Sequence, residues 1–237
     1  MNDFIVTARH KCGSSILNRI IKSASFNKVC PYIIGPNDAN NNQRKIHFYR
    51  KSREHQAHHE SDKYVFILRN PLSICISSYY SFGYTHKKPL NLTEEEWSLA
   101  KTKIARRGLE GYIDDNIKKV SAEIEWFFNS EFQYKTFLPY ELMISDFGRF
   151  LYDFLESINS LELYMPLFNR WAKEFVPIDD RSGEIVSGNL NTHRRTSNIN
   201  EWEEKIPQNK LKEYISNNPG LSNYIKWSNF VLNNKPL

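Results

Sequence analysis

No stretch of this 237-residue chain stays apolar for anything near the ~20 residues that cross a bilayer, and no basic-then-apolar leader stands at its front. Both absences lead us to expect a protein that works in the cytoplasm, without a membrane span. Cysteine is scarce. Cys12, Cys30 and Cys75 are an odd number and lack the spacing of a disulfide framework, which points to a reducing compartment. Charge of one sign is also in short supply: 32 Lys+Arg against 27 Asp+Glu leave a net +5. That excess does not demand a nucleic acid or an anionic membrane, but it suits a small polyanion. Missing too is Gly-x-x-x-x-Gly-Lys-[Ser/Thr], in which the lysine follows a glycine and the next hydroxyl holds Mg²⁺. An anion bound by this chain is therefore expected to be held without a metal bridge.

What is present reads as a folded α/β chain. Hydrophobic residues make up 40% and aromatics 14%, enough for one full-sized core, and no internal repeat or domain boundary stands out. The apolar run "FIVTA" leads through "RHKCGSSILNRI" (Arg9 to Ile20) into a helical pattern, with Ile16, Leu17, Ile20 and Ile21 on one face. "KYVFILRNPLSICISSYYSF" repeats the arrangement. Val65 to Leu68 reads as a strand buried on both sides, Asn70 as a helix cap and Pro71 as the first helical residue. Leu72, Cys75, Ile76, Tyr79 and Tyr80 then fall on one apolar face.

Later, Ile113, Ile117, Val120, Ile124, Phe127 and Phe128 make one helical stripe. Phe147, Phe150, Leu151, Phe154, Leu155 and Ile158 make another, with "YKTFLPYEL" between them as a strand. Thr93 and Glu96 have capping-box spacing, so the insertion at about residues 83–111 should be ordered. "GPNDANNNQ" and "DDRSGEIVSGNLNTHRR" read as long surface loops. The expected fold is a single α/β domain over residues 1–237, with a mostly parallel central sheet flanked by helices.

Two places could hold an anion. A loop that leaves a strand and enters a helix points backbone N–H groups and the positive end of the helix dipole at one spot. In the first loop Gly13 permits close approach, Ser14 and Ser15 add hydroxyl donors, and Lys11 adds a full charge. The plainer reading is an ordinary turn with a surface lysine. Arg69 ends the second strand, where ligands of open α/β sheets collect. Ser77 lies about two turns along the next helix, on a polar edge with Ser73, so Arg69 and Ser77 could grip one phosphate. The plainer reading there is an arginine over the sheet edge and a serine on a solvated face. His55, His58 and His59 would share a helix face, but no fourth ligand stands at a suitable spacing, and a solvated polar helix accounts for them.

"HKCGSSIL", "RNPLSICISSYY", "YELMISD" and "RTSNINEW", in that order along the chain, resemble the sulfotransferases that use 3′-phosphoadenosine 5′-phosphosulfate (PAPS). The resemblance implies a P-loop nucleotide-kinase-like sulfotransferase fold. It implies sulfuryl transfer from PAPS to a hydroxyl or amine acceptor by in-line displacement, leaving 3′,5′-bisphosphoadenosine (PAP), with no metal. Lys11, Cys12, Gly13, Ser14, Ser15 and Ile16 would cradle the 5′-phosphosulfate, with Lys11 acting at the leaving phosphate oxygen. Arg69, Ser77 and Arg195 would hold the 3′-phosphate, and Tyr140 would lie near the adenine.

The Lys-x-His of "RKIHFYR", Lys45 and His47, would stand beside the chemistry with His47 as the base, Glu54 or Glu60 being the local alternatives. The chain departs from the family pattern at Ile16, where many members have tryptophan, at Leu142 and Met143, which replace Asp-Leu, and at Thr196 and Ser197, which replace Lys-Gly. "YYSFGYTH", Tyr79 to His86, would border the acceptor cleft, and a small-molecule, carbohydrate or lipid acceptor, or a peptide tyrosine, all fit its aromatics. Two other readings stand beside this one: a Mg²⁺-dependent nucleotide kinase of related architecture, and a non-catalytic nucleotide or RNA binder, which the small net charge disfavours.

Overall fold

The computed structural model describes residues 4–9, 11–21, 32–33, 46–49, 62–174 and 199–234. Five strands form one wholly parallel sheet: β1 (Phe4–Ala8), β2 (Tyr32–Ile33), β3 (Ile46–Tyr49), β4 (Lys63–Leu68) and β5 (Tyr134–Pro139), in the order β2-β3-β1-β4-β5. The mostly parallel sheet with helices expected from the sequence is what the chain forms. The described chain clusters into two compact units.

The first unit (Met1–Arg69, Asn129–Ile178 and Val231–Leu237) contains the whole sheet. Among the described residues its α-helices are α1 (Ser14–Ile21) and, after β5, three more. Because side chains alternate along a strand, β1 and β4, buried at successive positions, feed both faces of the sheet. Phe4, Val6 and Ala8 join Ile46, Phe48, Val65, Ile67 and Leu138 in one cluster with Leu17, Ile20 and Ile21 of α1. On the opposite parity Tyr64 stacks on Phe132 at 3.9 Å between ring centroids, and Phe66 on Phe137 at 5.5 Å. With Val65 through Leu68 buried on both faces, the strand reads as an unbroken apolar run rather than as an alternating one.

The segment "YKTFLPYEL" is strand only as far as Pro139, and a short helix runs from Tyr140 to Ser145. Proline has no N–H to carry a ladder onward, which is where the sequence pattern over-extends the strand. The stripe from Phe147 becomes the next helix, Phe147–Ser157, with Asp146 Oδ1 accepting from the Arg149 N–H at 3.0 Å and Phe150, Leu151, Phe154 and Leu155 buried. Leu163, Leu167 and Trp171, the last two on Tyr164–Glu174, complete the cluster.

The second unit (Asn70–Phe128 and Asp179–Phe230) is helical where described. Its first helix, Pro71–Tyr80, starts as the sequence predicts: Asn70 Oδ1 accepts from the Leu72 N–H at 2.9 Å, and Pro71 fills the first helical position. Pro71 through Ile76 are all buried, so the polar edge expected at Ser73 is absent, and of Ser73 and Ser77 only the second is partly exposed. A π-helical turn, Ser81–Thr85, follows.

The capping box forms with both bonds, Thr93 N–H to Glu96 Oε2 at 2.8 Å and Glu96 N–H to Thr93 Oγ1 at 3.2 Å, and opens the long helix Glu94–Asn129. That helix kinks at Gly108 (φ 72°, ψ 171°), where Arg107 on one side pairs in two bonds of 2.8 Å with Asp115 on the other. Ile113, Ile117, Val120, Ile124 and Phe127 are buried along the expected stripe, and Phe128 packs edge-on against Trp227. Glu201–Lys205, Gln208–Asn217 and Pro219–Asn233 end the described chain. Tyr214 donates to Asp114 at 2.6 Å, and the Leu221 N–H donates to Ser121 Oγ at 2.8 Å.

Candidate anion-binding site

The strand order itself picks out one edge of the sheet. After β1 the chain goes to β2 on one side, and after β4 it goes to β5 on the other. Adjacent strands whose connections part in this way open a crevice at their carboxyl ends, the usual ligand position in open α/β sheets. Register brings specific residues to that crevice. Ala8 pairs with Ile67, so the loop after β1 lies beside the end of β4, and Leu68 pairs with Pro139, so Arg69 and Tyr140 emerge side by side.

The loop after β1 has an unusual backbone. Lys11 has φ 71° and Gly13 φ 79°, both left-handed. For glycine this is easy, but a lysine in that region is uncommon. Arg69 reaches across and donates from Nη1 to the Lys11 carbonyl at 2.8 Å, which fixes the turn. The same guanidinium lies 4.5 Å from the centroid of the Tyr140 ring. Gly13 is hemmed in as well: a Cβ placed there would come within 2.7 Å of Met143 Sδ and 3.3 Å of Tyr140 Cδ2.

The Ile16 and Leu17 N–H groups turn back to the Gly13 carbonyl at 3.0 and 3.1 Å, and the Cys12 N–H donates to the Arg9 carbonyl at 2.9 Å. The amides of Ser14 and Ser15, in the first turn of α1, therefore have no acceptor within the helix. Ser15 is exposed, Ser14 is buried, and the Cys12 side chain is buried at 1% exposure. Burial, and then the Arg69 charge beside it, push the Lys11 ammonium down to about 8. Two cations and a helix mouth thus meet at one edge, an arrangement whose electrostatics favour a bound anion.

Of the residues singled out in the sequence, Lys11, Cys12, Gly13, Ser14, Ser15, Ile16, Arg69 and Tyr140 all belong to the sheet-bearing unit, and Lys11, Gly13, Arg69 and Tyr140 meet in the contacts above. Ser77 belongs to the helical unit. His47 lies in β3, its backbone in register with Ile5 and Ile33; its side chain lies outside the described residues. Lys45, Glu54, Glu60, Arg195, Thr196, Ser197, Cys30 and the histidines at 55, 58 and 59 lie outside them as well, as do both asparagine- and glycine-containing loops. Sequence reasoning missed Met143 as the residue against Gly13, and it missed the Arg69 bond to the Lys11 carbonyl. Among the described residues no group of three or more His, Cys, Asp or Glu side chains is placed to hold a metal ion, and no helix is long and apolar enough to cross a membrane.

The fold is a parallel α/β sheet, five-stranded among the described residues, with a cationic loop at its switch point. No family model and no curated protein matches the chain. Among solved structures it is similar to the crystal structure of mouse sulfotransferase SULT7A1 complexed with PAP, at a TM-score of 0.55 and 12% identity, over 91% of this chain and 82% of that one. The fold is thus sulfotransferase-like.

Proposed function

We propose that the protein is a sulfotransferase that takes its sulfuryl group from PAPS, with residues 1–237 acting as one catalytic domain. The observation that carries the reading is the Arg69–Lys11 lock: a guanidinium just past the end of β4 holds the lysine-bearing loop after β1 in a left-handed turn at the head of α1. The donors gathered there, an ammonium, a guanidinium, two serine hydroxyls and open helix amides, suit phosphate and sulfate oxygens. The likeness to a PAP-bound sulfotransferase, a fold-level one, supports the same ligand class.

PAPS, when bound, would supply the activated sulfuryl group and PAP as the leaving group. Lys11 and the amides after Gly13 would hold the 5′-phosphosulfate, and Arg69, Ser77 and Arg195 the 3′-phosphate. An ammonium whose proton is loosened to about 8 is suited to donating to a phosphate oxygen as charge develops on it. His47 would take the proton from a hydroxyl or amine acceptor, with Lys45 beside it. The aromatic run Tyr79 to His86 would face a small-molecule, carbohydrate or lipid acceptor. We place this activity in the cytoplasm.

The test is calorimetric titration with PAP and with ATP plus Mg²⁺, on the wild type and on Arg69→Ala. Metal-independent PAP binding that discriminates against ATP, and that weakens about 100-fold in Arg69→Ala, is the expected result, since hydrogen bonds to charged groups contribute about 1.5–3 kcal/mol each. Preference for ATP with Mg²⁺, or no binding of either, overturns the reading.

A further inference from the structure

The helix Tyr140–Ser145 touches both arms of the anion site. Its first residue, Tyr140, follows Pro139 as Arg69 follows Leu68, and Leu68 and Pro139 are register partners. The tyrosine ring thereby comes 4.5 Å from the Arg69 guanidinium, and its Cδ2 borders the space at Gly13. Arg69, in turn, spends one N–H on the Lys11 carbonyl. The contacts form a chain: the Tyr140 ring to Arg69, Arg69 to the Lys11 backbone, and Tyr140 with Met143 to Gly13.

We infer that Tyr140 is a positioning residue: its ring fixes the Arg69 guanidinium, and through it the left-handed turn at Lys11, so that the anion site is set before any ligand arrives. The identity of that ligand rests on the sulfotransferase reading; the positioning does not. An aromatic face attracts a guanidinium and restricts its plane, so fewer rotamers of a long side chain need be frozen when the anion binds. This differs from a tyrosine that recognises the base, because the effect reaches ligands that have no base.

The experiment uses the full chain with two probes, PAP and inorganic pyrophosphate, together with NMR titration of the Lys11 amine in the ligand-free protein. Tyr140→Leu is expected to weaken both ligands by roughly tenfold, within the range of a partly desolvated cation–π contact. Tyr140→Phe keeps the ring and restores most of the affinity. In an Arg69→Ala background Tyr140→Leu has little further effect, and in ligand-free Tyr140→Leu the Lys11 titration moves upward as the guanidinium is released. Arg69→Lys, which keeps the charge and leaves Tyr140 in place, loses affinity for both probes.

A loss confined to PAP, with pyrophosphate and the Lys11 titration unchanged, overturns the inference and makes Tyr140 a base contact. Full additivity with Arg69→Ala, or full affinity in Arg69→Lys, overturns it as well. If the wild type binds no PAP, the sulfotransferase reading fails, and the Lys11 titration alone still decides the positioning.

Discussion

Lys11 combines a strained backbone with a loosened proton, and the proton gives stability and binding predictions of opposite sign with pH. Its pKa falls from 10.5 to about 8 on folding, so between those values the folded chain binds fewer protons than the unfolded one. Lys11's contribution to the stability of the ligand-free protein therefore rises with pH across that window. Binding runs the other way. An anion needs the charged amine, and the phosphates of PAP are already ionised above about pH 7, their second pKa being near 6. PAP affinity is expected to fall as pH rises from 7 to 9, and Lys11→Met to flatten that dependence in a calorimetric series; an equal slope in the variant would remove Lys11 from the site. At Gly13 a methyl group meets both a left-handed φ and the Met143 thioether at 2.7 Å. Gly13→Ala should lower stability by about 1–3 kcal/mol in denaturant melts. The residue types at this loop were legible in the sequence. The bond that holds them was not, because Arg69 and Lys11 lie 58 positions apart and no local pattern reports a carbonyl held by a distant guanidinium.

Elements were legible where the chemistry is local. Asn70 with Pro71, Thr93 with Glu96, and the stripe from Ile113 to Phe127 each form what their spacing announces, since caps and amphipathic faces depend on neighbours within a few residues. Burial all round the start of Pro71–Tyr80 was not legible, because a serine such as Ser73 reads as polar until its surroundings are known. Neither was the kink at Gly108, because a lone glycine in the sequence does not announce a φ of 72°. Among the described glycines the closest approach is at Gly220 on Pro219–Asn233, where a Cβ would come within 2.1 Å of the Ser121 carbonyl oxygen. A carbonyl inside the long helix cannot swing aside as a side-chain tip can. Gly220→Ala is expected to cost about 2 kcal/mol or more by thermal or urea melting, and an unchanged midpoint would mean that the two helices can separate freely.

At the scale of the whole molecule, the lysine loop depends on a finished sheet, because its two cations follow the ends of β1 and β4. A ligand that binds only the folded form stabilises it by about 2.7 kcal/mol at 100 times its Kd. For a chain of 237 residues this corresponds to a rise in Tm of roughly 5–10 °C in a scanning experiment. PAP should produce that shift, and Arg69→Ala should lose most of it at the same concentration; a full shift in the variant would place the ligand elsewhere. The central position of β1 also has a consequence in time. It precedes every strand it pairs with: its neighbours β3 and β4 begin at Ile46 and Lys63. At a synthesis rate of roughly 5–20 residues per second, Phe4–Ala8 waits some seconds on the ribosome as an unpaired apolar segment before either neighbour emerges. The strand that delivers the lysine loop is thus made before both strands that pair with it, and its apolar residues stay uncovered until β4 has been made.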